Sequence, residues 1–430
     1  MVEPIDTTFV VIAGGKGTRS INPSVPKSLH KLMGETIIEH QLSSIAKYGP
    51  AEVIIVGGFG FEALKEELEF LEIKFPDLAL TPLHEENPQG TLGALMLALD
   101  RIQTTYCVVI LGDIIFDCNL ENLLKFSVKL NVDFVLCSHP NAHPEDSDQI
   151  HMDLITSEVK RFFPKGETTG VAGNLAAAGI YCVRKDFLKE NQFSFGDITK
   201  SISEYCLTNK ARIYSWITVD YVADAGTPAR IEKIENDMRT GTRMRRSGIQ
   251  KDAIFLDLDD TLLKNVEDKS VADPPMVAME TILELKRLNQ LGIPIVVATN
   301  QPGIAKGHFD LEAFGLYKAK IESNLSIYGA FVDAWEICPH HPEKGWENEV
   351  ADLKIACECR KPKPGLLLQA AQKYGISLPK SVFLGDSIVD LMASTEVNAT
   401  FLGVDAKAIA GGSFSTASIL RELADNYASD

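Results

Sequence analysis

No apolar run in these 430 residues approaches the length of a membrane span. The opening MVEPIDTTFVVIAGG also lacks the basic segment followed by an apolar core that marks an export signal. The expectation is a chain that is neither exported nor anchored and that works in the cytoplasm. Positive charge is in short supply, with 42 Lys and Arg against 59 Asp and Glu and a formal net charge of -17, which argues against a nucleic-acid surface. Anionic small substrates fit such a chain only where local cations and Mg²⁺ reverse the field. Low-complexity tracts are absent, and eight cysteines in this setting read as reduced thiols rather than a disulfide framework. What is present is an ordinary globular composition, 45% hydrophobic and 23% charged, on a chain too long for one core. About two domains are expected, and the oligomeric state is left open, a homo-oligomer included.

The densest chemistry lies in residues 338–365, CPHHPEKGWENEVADLKIACECRKPKPG. Cys338 and His340 form one close pair, and Cys357 and Cys359 form another after a sixteen-residue loop. Two such pairs are what a closed tetrahedral structural Zn²⁺ site needs, since thiolate and imidazole are its preferred ligands. Arg360, Lys361 and Lys363 follow at once, interleaved with Pro362 and Pro364. The prolines restrict the backbone, so these cations are held in place and resemble a phosphate clamp.

The first half carries a different signal. Residues 8–13, TFVVIA, form a buried-type strand that runs into Gly14, Gly15, Lys16, Gly17, Thr18 and Arg19, with Pro26 and Lys27 further on. Glycines after a parallel-type strand let backbone amides approach a phosphate. The spacing matches neither a P-loop nor GxGxxG. Residues 35–48 read as an amphipathic helix and 52–56 as a strand. Residues 88–95 read PQGTLGAL, and the strand at 106–111 ends in Gly112 and Asp113. A carboxylate at the carboxyl end of a strand suits Mg²⁺ in an open α/β sheet. NLAAAGIY follows at 174–181 and VADAGTP at 222–228.

In this order the motifs resemble those of the sugar-1-phosphate nucleotidylyltransferases, whose signature is GGxGTR followed by Pro-Lys. The resemblance covers residues 11–228. It implies that Gly14, Gly15, Gly17, Thr18 and Arg19 hold a nucleoside triphosphate, with GTP as the implied nucleotide. It further implies that Gly90 and Thr91 lie against the base, that Lys27 neutralises the α-phosphate, and that Asp113 and Asp224 carry Mg²⁺. Asn174 falls in the family's sugar-side segment. Lys165, in RFFPKG, is either the grip on the sugar phosphate or a plain surface lysine. Asp117 reads as a helix N-cap or solvated carboxylate, and residues 139–148 as a solvated loop in spite of their histidines.

Residues 241–250, GTRMRRSGIQ, have no apolar periodicity and read as a linker between a first domain at 1–240 and a second at 251–430. The second opens with a strand entering Asp257, Leu258, Asp259, Asp260 and Thr261. A strand at 295–298 leads to Thr299, Asn300 and Gln301, and one at 382–384 leads to Gly385, Asp386 and Ser387. Together with Arg360 and Lys361 these are similar to the four motifs of the haloacid dehalogenase superfamily of phosphatases. The resemblance implies Asp257 as nucleophile, Asp259 as acid and base, and Thr299 and Lys361 on the phosphoryl group. It also implies Asn300, Gln301 and Arg360 near the substrate, and Mg²⁺ held by Asp257, Asp386 and the backbone carbonyl of Asp259.

The cysteine loop and TNQPGIAKG at 299–307 resemble the heptose 1,7-bisphosphate 7-phosphatases and the related histidinol phosphatases. That group reads DRDGT where this chain has Leu258 and Asp260, and residues 262–275 hold no clear counterpart of its substrate-facing segment. The fold implied is α/β, two Rossmann-like three-layer domains, one of nucleotidyltransferase type and one like the dehalogenases. The function implied is a bifunctional enzyme making a nucleotide-activated heptose. The alternatives are a mannose-1-phosphate guanylyltransferase fused to another phosphatase, and a nucleotide-sugar sensor with one silent domain.

Overall fold

The computed structural model describes residues 7–15, 24–141, 147–166, 173–248, 250–264, 276–404 and 414–429. They form two compact units, one of Met1–His139, Ser157–Pro164 and Ala177–Arg239, the other of Pro140–Thr156, Lys165–Ala176 and Thr240–Asp430. Among the described residues no helix is long and apolar enough to cross a membrane.

In the first unit, strand Thr8–Ile12 is buried along its whole length, as expected of a strand covered on both faces. It pairs in parallel with Glu52–Gly57 on one side and Tyr106–Leu111 on the other. Leu80–His84 extends the sheet in parallel beyond Glu52–Gly57, and Leu175–Arg184 runs antiparallel to Tyr106–Leu111. Strand order therefore reverses at Thr8–Ile12, where such sheets open a crevice beyond their carboxyl ends. Phe9, Val11, Val53, Ile55, Val108 and Ile110 pack in one core on one face of these strands. Each contributes about 1.5–3 kcal/mol on burial, so the strand frame is what holds the loops that leave it.

The helix expected at 35–48 is shorter, Ile37–Ala46. Thr36 caps it, accepting from the Glu39 N–H while the Glu39 carboxylate accepts from the Thr36 N–H. Glu35 lies before that cap in the short strand Glu35–Thr36, paired with Lys31–Leu32.

The second unit is built on a parallel sheet in the order Ala334–Cys338, Ile295–Asn300, Ile254–Leu256, Val382–Gly385, Thr400–Gly403. The central strand again has neighbours from both chain directions, so the switch point falls where Asp257 leaves Leu256. Ile254, Leu256, Ile295, Val297 and Leu384 meet Leu285 and Leu288 of helix Met279–Leu291 in its core.

Residues 241–250 are more than a tether. Thr242–Arg245 is a short helix, and the Thr242 hydroxyl donates to Gln290 O at 3.1 Å while Arg245 Nη1 donates to Leu291 O at 3.0 Å. Arg246 is buried and grips Asp333 with both guanidinium nitrogens, at 2.6 and 3.3 Å. The linker reading missed this because the segment is held by arginine heads on buried acceptors, which leave no apolar period in the sequence.

Candidate active sites and metal centre

A cavity of about 370 Å³ opens at the carboxyl ends of the first sheet, lined in part by Gly14, Gly15, Lys27, Gly90, Thr91 and Asp113. Six of the expected residues thus share one cavity. Lys27 Nζ is 2.8 Å from Asp113 Oδ2. Strand Val222–Asp224 runs antiparallel to Ile114–Phe116, which sets Asp224 beside Ile114 and so brings it to the same place. Gly226 packs against this group: a Cβ there would stand 2.6 Å from Asp224 Oδ1 and 3.4 Å from both Asp113 Oδ2 and Lys27 Nζ. Burial, and then the charge of Asp113, push the Asp224 carboxyl above its usual range. Arg230 forms an ion pair with Asp224. Two carboxylates pressed together in this way are a hard-oxygen donor set that fits Mg²⁺.

Gly90 sits at φ +84°, and a Cβ there would be 2.4 Å from Gly196 O, so only glycine lets this loop close on its neighbour. The Thr91 hydroxyl accepts from the Ile198 N–H at 2.8 Å and so also serves the start of helix Ile198–Asn209. Glu85 was not anticipated. It lines the same cavity, with Oε1 accepting from the Gln89 N–H at 3.1 Å, and its only trace in the sequence is an acidic residue five positions before Gly90.

Gly17, Thr18 and Arg19 lie outside the described residues, as does part of the 139–148 loop. Lys165 and Asn174 are not among the residues lining the cavity. Lys165 is exposed and its backbone N–H donates to Asp148, in keeping with a surface lysine, and Asn174 is buried. Asp117 caps no helix, since Asn119 caps Leu120–Leu130 and Asp117 pairs with Lys47 at 3.2 Å.

The second site forms at the switch point of the other sheet. Asp257, Asp386 and Asp390 each bring a carboxylate oxygen within 4.8 Å of the others. Lys361 Nζ lies 2.8 Å from Asp257 Oδ1 and 2.7 Å from Asp390 Oδ1, and it donates to Ala298 O at 2.8 Å. Burial pushes the Asp257 carboxyl up to about 6, against the pull of Lys361 and with a further push from Asp390. Asp386 is raised by burial and by Asp390. Three carboxylates against one ammonium leave an excess of negative charge that a divalent cation with oxygen ligands would balance, so this site fits Mg²⁺ as well.

The third carboxylate of the cluster is Asp390, which was not anticipated, and the Asp259 side chain is engaged by Gln301, whose Nε2 lies 3.2 Å from Asp259 Oδ2. Asp390 was missed because it also looks like a cap: its Oδ2 accepts from the Ser387 N–H and hydroxyl in a capping box, which leaves Oδ1 for Lys361. The signal was the acid four residues after Asp386. Asn300 bonds to the backbone of Lys361. Its amide donates to Lys361 O and accepts from the Lys361 N–H, both at 3.0 Å, which clamps the backbone of the lysine. Thr299 is fully buried beside Gln301, and Arg360 Nη1 donates to His340 O at 3.3 Å.

The expected thiol and imidazole set does converge. Cys359 Sγ is 3.3 Å from Cys338 Sγ, 3.2 Å from Cys357 Sγ and 3.2 Å from His340 Nδ1, and Cys338 Sγ is 3.6 Å from Cys357 Sγ. Sulfurs around a tetrahedral Zn²⁺ stand about 3.8 Å apart, so these distances approach a metal polyhedron and are far from a disulfide. Burial lowers the His340 pKa and favours the neutral imidazole that ligates.

A nucleotidyl transferase family model matches residues 8–240, more than half of the chain, and a polynucleotide kinase 3 phosphatase model matches residues 252–407. The D-glycero-beta-D-manno-heptose-1,7-bisphosphate 7-phosphatase of Photorhabdus laumondii is 35% identical over 149 residues, 33% of this chain and 74% of that protein. Its Yersinia pestis counterpart is 37% identical over 148 residues, 34% of this chain and 76% of that protein. Among solved structures, HddC from Yersinia pseudotuberculosis aligns with a TM-score of 0.45 at 19% identity, over 54% of this chain and 99% of that one. The chain thus joins a transferase domain to a phosphatase domain, and it belongs to the nucleotidyl transferase family through its first half and to the family of the heptose-1,7-bisphosphate 7-phosphatases through its second.

Proposed function

We propose that this chain carries out two successive steps of heptose activation: removal of the 7-phosphate from a heptose 1,7-bisphosphate, then transfer of a nucleotidyl group to the resulting heptose 1-phosphate. The observation that carries the reading is that one chain holds two lysine and carboxylate sites, Lys27 with Asp113 and Asp224, and Lys361 with Asp257, Asp386 and Asp390. The product of the second site is an acceptor of the class the first requires.

At the phosphatase site a carboxylate oxygen of Asp257 bonds to phosphorus as the bond from phosphorus to the sugar oxygen breaks. Asp259 gives its proton to that oxygen and takes one back from the water that then releases phosphate. Lys361 and Thr299 steady the phosphoryl oxygens. At the transferase site an oxygen of the sugar phosphate attacks the α-phosphorus and pyrophosphate leaves. Lys27 offsets the charge on the α-phosphate, and the Gly14 and Gly15 backbone lies along the triphosphate. Asp113 and Asp224 would hold one Mg²⁺ and Asp257, Asp386 and Asp390 another. Bound there, the ion supplies charge neutralisation of phosphate oxygens. Cys338, His340, Cys357 and Cys359 would hold a structural Zn²⁺.

The nucleotide we assign is GTP. Glu85 offers the cavity a group that only accepts hydrogen bonds, and guanine is the base whose pairing edge carries two adjacent donors, N1–H and the N2 amino group. Uracil and thymine flank their single donor with carbonyls that a carboxylate repels. A cytoplasmic location suits a reaction fed by nucleoside triphosphate and a loop of reduced thiols.

The test is incubation with a heptose 1,7-bisphosphate, Mg²⁺ and each nucleoside triphosphate in turn, with mass analysis of products. GDP-heptose together with inorganic phosphate and pyrophosphate is the expected result. Phosphate release confined to hexose or histidinol phosphates would overturn the heptose assignment, and preference for another nucleotide would overturn the guanine one.

A further inference from the structure

Gln301 has no part in the steps above, yet it is 1% exposed at the carboxyl end of strand Ile295–Asn300, between two groups that do. Its side-chain nitrogen is 3.2 Å from Asp259 Oδ2 and 3.0 Å from Thr299 Oγ1. A carboxylate faces an amide nitrogen and repels an amide oxygen, so the contact with Asp259 sets which way the amide points. The backbone N–H of Gln301 donates to Cys338 O at 2.8 Å, which fixes the residue to the first cysteine of the thiol loop.

We propose that Gln301 is a positioning residue for proton transfer at the phosphatase site. By donating to Asp259 Oδ2, it confines the acid proton to Oδ1. Its second amide hydrogen goes to Thr299 Oγ1, which holds the amide in that orientation. The inference rests on the phosphatase reading and deepens it. In the step concerned, the Asp257 oxygen bonds to phosphorus, the bond from phosphorus to the leaving oxygen breaks with its electron pair, and that oxygen takes the proton from Oδ1. An alkoxide leaving group needs the proton as the bond breaks, whereas p-nitrophenolate departs as a stable anion. The value of a well-aimed proton therefore depends on the leaving group.

The test compares wild type with Gln301→Met and the isosteric Gln301→Glu in the full-length chain, on a sugar phosphate and on p-nitrophenyl phosphate. Nucleotidyl transfer and the unfolding midpoint in the same preparations report on folding. The expected result is a fall of about 100-fold in kcat/KM for the sugar phosphate. For the aryl phosphate the fall should be no more than about threefold, because acid catalysis contributes little there. Equal falls on both substrates in folded variants would overturn the proposal, as would no fall on either. A wild-type chain that hydrolyses neither substrate overturns the phosphatase reading and this inference with it.

Discussion

Lysine and carboxylate divide the work in both pockets, and which oxygen faces which nitrogen decides what each pocket can do. Lys27 and Lys361 each stand 2.8 Å from an acid that would otherwise repel a phosphate. Glu85 lines the first pocket, with its Oε1 accepting from the Gln89 backbone N–H. If this carboxylate reads guanine, Glu85→Gln removes a charge-assisted pair worth about 1.5–3 kcal/mol. The preference for GTP over UTP should then narrow by about 10–100-fold, as measured from competing kcat/KM values. An unchanged ratio would remove Glu85 from base selection. At this scale the sequence was partly legible. Asp113, Asp257 and Asp386 each follow a buried strand, so their neighbours in the chain announce them. The roles of Asn300 and Gln301 depend on partners 61 and 42 residues away, and no local pattern encodes such pairings.

Among the elements, strands were the easiest to read from sequence, because five or six consecutive apolar residues have few other uses. Tyr106–Leu111 has the bounds that its apolar run suggests. Segment 241–250 was the hardest, since its anchoring lies in arginine side chains. Arg246 and Asp333 are both buried, and Asp333 Oδ2 also accepts from the Ile295 N–H at 2.8 Å. The ion pair therefore ties the entry segment to the edge of a strand whose far end carries Thr299. Removing one partner of a buried pair leaves the other uncompensated, at a cost of about 3–5 kcal/mol. Arg246→Ala should lower the denaturant midpoint of the second unit accordingly, in an unfolding titration followed by phosphatase activity. A loss below about 1 kcal/mol, the value of an exposed pair, would show that the segment is only loosely attached.

For the molecule as a whole, two separate sites mean that two differently broken chains can share the work. Asp257→Asn should release no phosphate from a heptose bisphosphate but still transfer a nucleotidyl group to heptose 1-phosphate, and Lys27→Ala should do the reverse. Mixed together, the two variants should convert the bisphosphate to nucleotide sugar, with free heptose 1-phosphate detectable during the reaction. Failure of the mixture while each variant keeps its own half-reaction would mean that the intermediate does not travel between chains. That the chain holds two units was legible in its length and in two motif sets that do not overlap. How Pro140–Thr156 and Lys165–Ala176 come to group with Thr240–Asp430 was not, because nothing in those stretches resembles the phosphatase motifs.

Cys338 ends the strand beside Thr299 and Asn300, while Cys359 stands two residues before Lys361. A disturbance of the sulfurs is therefore expected to reach the lysine. With the proposed Zn²⁺ bound, the three thiolates would also be a target for peroxide, which would oxidise them and eject the metal. Oxidative stress should thus silence dephosphorylation while leaving pyrophosphorolysis intact, with zinc release to a chromogenic dye keeping pace with the loss and a thiol reductant plus zinc reversing it.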